Sequence, residues 1–186
     1  KYMLPPVTII SPLGQSFNDV SGVLIKVRVG GSVPVQSVSA VITKPDATNV
    51  TIPLPHLSGK LYQSTFNDTM KAGVYFVRII AIVQLGSQQY INDQKTTTFT
   101  IIDTTAPIVA FNDPPTPVTG LLTNTAAQMI EVSHTETNPQ TLTLFVDGNP
   151  AVSQPYSGAT STIPFTFTEG THDYYVRIID VGSNSA

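Results

Sequence analysis

The chain has 186 residues, a formal net charge of −3 and no cysteine, which excludes a disulfide framework and thiolate metal sites. Its nine Lys and Arg residues are scattered, so there is neither a basic stripe for nucleic acid nor a polybasic cluster for anionic lipid. Charged residues are 11% of the chain, against about 25% in an ordinary soluble domain, so Thr, Ser, Asn and Gln must build the polar surface.

Pro and Gly punctuate the chain every few residues and apolar side chains alternate, which predicts strands and no helix. Residues 7–10 open with a short strand. Val23, Ile25, Val27 and Val29 then alternate with Leu24, Lys26 and Arg28, the pattern of a half-buried strand with its charges outward. Val38, Ala40 and Ile42 mark a third strand, and Lys44-Pro45-Asp46-Ala47 reads as a turn. Residues 49–54 and 60–66 are the next two strands. Gly73 leads into an apolar strand reaching Val83, which Arg78 interrupts and which is too short to span a bilayer. Residues 95–102 complete a predicted set of seven strands, at β-sandwich spacing.

A six-residue phrase then shows how the rest is organised. Tyr75-Phe76-Val77-Arg78-Ile79-Ile80 returns as Tyr174-Tyr175-Val176-Arg177-Ile178-Ile179, with five of six positions identical at an offset of 99 residues. That offset is about the length of one small all-β domain. Two tandem modules are expected, residues 1–103 and 104–186, with Asp103-Thr104-Thr105-Ala106-Pro107 as linker and Pro107 at a strand start, where its missing N–H does no harm. In the second module, strands are predicted at 108–111, 128–133, 141–146, 160–168 and 174–180, with a hairpin turn at Asp147-Gly148. Only seven residues follow Ile179, so this module is expected to lack its last strand, through truncation of a longer array or because another chain supplies it. No signal peptide opens the chain, so an exported origin implies a mature segment of something longer.

The junction Asp103-Thr104-Thr105-Ala106-Pro107 resembles the opening of bacterial and archaeal Ig-like repeats. Gly170-Thr171-His172-Asp173-Tyr174, with the run from Asp180 through Gly182 to Asn184, is similar to their ending. Pro45-Asp46-Ala47 and Gly73-Val74-Tyr75 are similar to related fibronectin-III-like modules, except that Ala47 stands where Gly is usual. The resemblance covers both halves and implies two tandem Ig-like, Greek-key β-sandwiches. It also implies an extracellular or cell-surface setting and a role as spacer, stalk or adhesion module.

The candidate sites are few. Tyr75 and Tyr174 each start a strand after a Gly turn, the place of a tyrosine corner, where the ring enters the core and the hydroxyl satisfies a loop carbonyl. Val77 and Ile79 should then point inward with Tyr75, and Phe76, Arg78 and Ile80 outward. Asp103, Asp113 and Asp180 are calcium candidates, because calcium gathers carboxylate and carbonyl oxygens. The bland alternative has Asp103 capping a turn and Asp180 anchoring its loop. His56, His134 and His172 form no metal or catalytic motif, and there is no nucleophile elbow. The exposed aromatic strips at Phe76 and Tyr175 offer a surface for protein or glycan, or are covered structural faces. Asn49 and Asn67 begin N-glycosylation triplets.

Together these features predict no enzyme and no resident cofactor. They predict spacer modules of an exported cell-surface protein, whose partners are neighbouring domains of a longer chain. The rival readings are an adhesin or carbohydrate-binding accessory module, and a self-assembling surface-layer fragment.

Overall fold

Alternating apolar residues place one face of each strand on a core, and the computed structural model, which describes residues 4–113, 116 and 125–186, is accordingly all-β among those residues. Contacts divide the chain into two compact units, residues 1–102 and 103–186. Each is built of two β-sheets.

The first unit contains β1 (Val7–Ser11), β2 (Ser16–Asn18), β3 (Val23–Val29), β4 (Val35–Thr43) and β5 (Asn49–Pro53). It continues with β6 (His56–Ser58), β7 (Leu61–Phe66), β8 (Gly73–Leu85) and β9 (Gln88–Ile102). One sheet runs β1-β3-β7-β6 and the other β2-β9-β8-β4-β5. All pairings are antiparallel except β2 on β9, which is parallel through Ser16–Thr100, Phe17–Ile101 and Asn18–Ile102. The core lies between the sheets. Val23, Ile25 and Val27 from one face meet Ala40, Ile42, Val77 and Ile79 from the other, around Phe66, Tyr75 and Phe99. Tyr75 and Phe99 stack at 4.8 Å, with Phe66 edge-on to both. In the repeated phrase Tyr75, Val77 and Ile79 are buried, whereas Phe76 is 60% exposed.

Nine strands form among the described residues of this unit, where seven are expected. The two additions, β2 and β6, are three residues each, too short for an alternation to register in sequence. The last strand also begins at Gln88 rather than Lys95. Polar residues dominate that extra stretch because it forms the far end of a long hairpin with β8.

The second unit contains β10 (Ile108–Phe111), β11 (Ala127–Thr135), β12 (Pro139–Val146), β13 (Asn149–Pro155), β14 (Thr160–Thr166) and β15 (Tyr174–Asp180). Its sheets are β10-β11-β14 and β13-β12-β15. Ile130, Val132 and Ile163 pack on Leu142, Leu144 and Ile178 between them. The Asp147-Gly148 turn has positive φ at both residues, 50° and 77°, as a tight two-residue hairpin requires. It leads into β13, whose Pro150 and Pro155 fit because that strand is the outer edge of its sheet. After β15 the chain turns at Asp180–Asn184. Ser185 then bridges to Ile179, and Ala186 exchanges hydrogen bonds with Ile178 at 2.9 and 3.2 Å. Residues 185–186 therefore lie antiparallel against β15.

Candidate functional site

The second unit brings three acidic residues together where three chain segments meet. Asp103 precedes β10, Glu136 lies in the turn between β11 and β12, and Asp180 ends β15. One carboxylate oxygen from each lies within 4.8 Å of the others. Asp180 is fully buried and Asp103 is 4% exposed.

Local chemistry orients the group. The Asn184 main-chain N–H donates to Asp180 Oδ1 at 2.8 Å, and the Asn184 side-chain amide to Asp180 Oδ2 at 2.9 Å. The same amide reaches the Asp103 carbonyl at 3.3 Å. The Thr105 N–H donates to Asp103 Oδ1 at 3.2 Å, and the Asn138 N–H to Glu136 Oε1 at 2.7 Å. Gly182 lets the turn close: a Cβ there would stand 2.5 Å from the Asp103 carbonyl oxygen. Burial, with the charges of Asp180 and Glu136, raises the Asp103 carboxyl above its ordinary value, against the pull of Thr105 and Asn138. Tyr156, 5% exposed, is pushed up to about 12 by burial and by all three carboxylates. Asp103 Oδ2 and the Tyr156 hydroxyl are buried without a hydrogen-bond partner.

Of the three aspartates singled out in sequence, the fold thus brings Asp103 and Asp180 together. Asp113 is exposed and outside the group; its charge helps raise the Tyr174 hydroxyl, although burial is the larger cause. Glu136, Asn138 and Tyr156 were not anticipated. Nothing local marks them, since their shared place depends on strand register.

The remaining candidates are structural in geometry. The Tyr75 hydroxyl donates to the Lys71 carbonyl at 2.8 Å, four residues upstream, and burial pushes it up to about 12. Tyr174 is half-buried beside Phe111 and Phe167. Pro107 is buried immediately before β10. Tyr175, 49% exposed, stacks on Phe145 at 4.7 Å, with Arg177 5.0 Å over the Phe145 ring. On the first unit, Arg78 reaches Asp93 at 3.6 Å. Asn49 is exposed and accepts the Thr43 hydroxyl at 2.6 Å. Asn67 is exposed, but the hydroxyl of its partner Thr69 is buried 3.0 and 2.9 Å from the Asp19 and Ser21 carbonyls. His172 bridges Asp147 Oδ2 at 2.7 Å and the Thr168 hydroxyl at 3.1 Å. This hydroxyl–imidazole–carboxylate row lies on the surface. A shallow depression of about 190 Å³ lies along Met129 and Phe165, below the ~300 Å³ at which small-molecule sites begin.

No protein-family profile matches the chain, and no curated protein does. Solved structures do. The Yersinia pseudotuberculosis adhesin InvE superposes with a TM-score of 0.52 at 11% identity, over 97% of this chain and 56% of that one. The fibronectin(III)-like modules of Clostridium thermocellum CbhA give 0.39 at 17% identity, over 97% and 89%. DIP-gamma IG1+IG2 gives 0.40 at 9% identity, over 98% and 94%. The chain has an Ig/fibronectin-III-like fold.

Proposed function

We propose that the chain is a non-catalytic, tension-bearing spacer of an exported cell-surface protein, holding neighbouring domains of a longer chain apart. The observation that carries this reading is the parallel pairing of β2 with β9. These strands stand near the two ends of the first unit. In a parallel pair, a pull through the chain ends draws the strands past each other along their length. Their cross-strand hydrogen bonds are then loaded together in shear and not opened one by one. The bonds Gly14 N–H to Thr98 O, Thr100 N–H to Gln15 O and Asp19 N–H to Ile102 O, each 3.0 Å, line this seam. Closed cores and the shallow surface depression also favour a mechanical role over a catalytic one.

Single-molecule stretching of the whole chain tests the reading. The first unit is expected to open in one step, with a contour gain of about 30 nm at ~3.5 Å per residue. Thr100→Pro deletes one seam donor and should lower the opening force. An unchanged force would sink the proposal. A second reading, a protein- or glycan-binding module, is favoured by the half-exposed Tyr175 stacked on Phe145. It predicts that Tyr175→Ala abolishes binding on a glycan or surface-protein array and leaves stretching unaltered.

A further inference from the structure

The acidic group of the second unit poses an electrostatic problem. Three carboxylates converge, and no Lys, Arg or His among the described residues pairs with them; the ion pairs lie elsewhere, at Lys44–Asp68, Arg78–Asp93 and His172–Asp147. Buried carboxylates without a counter-charge are strongly disfavoured. Within the group, Asp103 Oδ2 is buried without a hydrogen-bond partner, on a side chain more than nine-tenths buried. Buried polar atoms nearly always have partners.

We propose that Asp103, Glu136 and Asp180 form a calcium site within the second unit. Calcium binds oxygen at about 2.3–2.6 Å, so two oxygens on one ion stand at most about 5 Å apart. The three carboxylate oxygens, within 4.8 Å of one another, meet that limit. Water completes the six to eight ligands that calcium takes. Asn184 and Thr105 hold Asp180 and Asp103 in place, so little ordering remains on binding. The ion would fasten three segments at one point: the stretch leading into β10, the β11–β12 turn and the turn after β15. The second unit alone would then gain stability from calcium. This inference is independent of the mechanical reading, whose seam lies in the first unit.

The test is thermal unfolding of the whole chain in chelator, calcium or magnesium, with amide NMR to locate the response. Calcium at about 100 times its dissociation constant should raise the melting temperature of the second unit by roughly 10–20 °C, and shift the amides of residues 103–105, 136–138 and 180–184. Glu136→Gln keeps the side-chain shape and the acceptor for the Asn138 N–H. It should melt normally in chelator and weaken calcium binding at least tenfold. Asp113→Asn, outside the group, should respond like the parent chain. No calcium shift, an undiminished shift in Glu136→Gln, or an equal response to magnesium would each overturn the assignment. So would an Asp103→Asn variant more stable in chelator than the parent in calcium, because the group would then be a buried repulsion with no ion to relieve it.

Discussion

Single residues carry several decisions that composition hides. Ala47 occupies the left-handed region at φ 63°, where a Cβ costs about 1–2 kcal/mol. The turn tolerates it because Asp46 accepts from the Thr48 N–H at 3.0 Å and from its hydroxyl at 2.5 Å. Ala47→Gly should relieve the strain, less some unfolded-chain entropy, and stabilise the first unit by about 0.5–1 kcal/mol in urea unfolding. Tyr75→Phe keeps the stacked ring but removes the hydroxyl that donates to the Lys71 carbonyl. A loss of about 1 kcal/mol is expected in the same assay. The Tyr75 corner was legible because a Gly turn, an aromatic and alternation coincide in sequence. Glu136 was not, because a lone acidic residue in a turn says nothing about what stands opposite.

At the scale of elements, loops hold strands together through charge. The Asp147 carboxylate of the β12–β13 turn accepts from His172 of the β14–β15 loop and from the Asp173 N–H. The hydrogen bond to Asp147 is the main reason the His172 pKa is raised, and the same contact lowers that of Asp147. A raised folded-state histidine value means its stabilisation is complete below the ordinary 6.5 and is lost as pH rises through the higher folded value. The lowered Asp147 acts at the other end: its contribution is present above 3.8 and fades as pH falls through the lower folded value. His134 opposes His172: burial lowers its pKa, so its contribution is present above 6.5 and fades as pH falls through the lower folded value. Comparing the parent with His172→Gln separates the two. The parent's advantage in melting temperature should be largest near pH 5–6 and shrink towards pH 9. An advantage that is flat with pH would show that the ion pair contributes nothing. Strand existence was readable wherever alternation ran five residues or more, as in β3, β4 and β8. It failed for β2 and β6, and for β13, where two prolines disguise an edge strand.

For the whole molecule, the two separate cores predict separable folding. Residues 1–102 alone should unfold in one cooperative transition, matching their transition in the full chain. A first unit that melts much lower when isolated would show dependence on its neighbour. The sequence by itself determined the all-β class, the division into two units and the inward face of the strand that opens at Tyr75. Those properties follow from short-range periodicity and from the recurrence of one phrase, and each survives without knowledge of any contact. Only the tertiary structure decided that β2 lies parallel to β9, and that Asp103, Glu136 and Asp180 come together. Both depend on which strands become neighbours and in what register. Pairing across long separations is chosen by the packing of two sheets on a common core, so residues distant in sequence meet there with no local signal of their own.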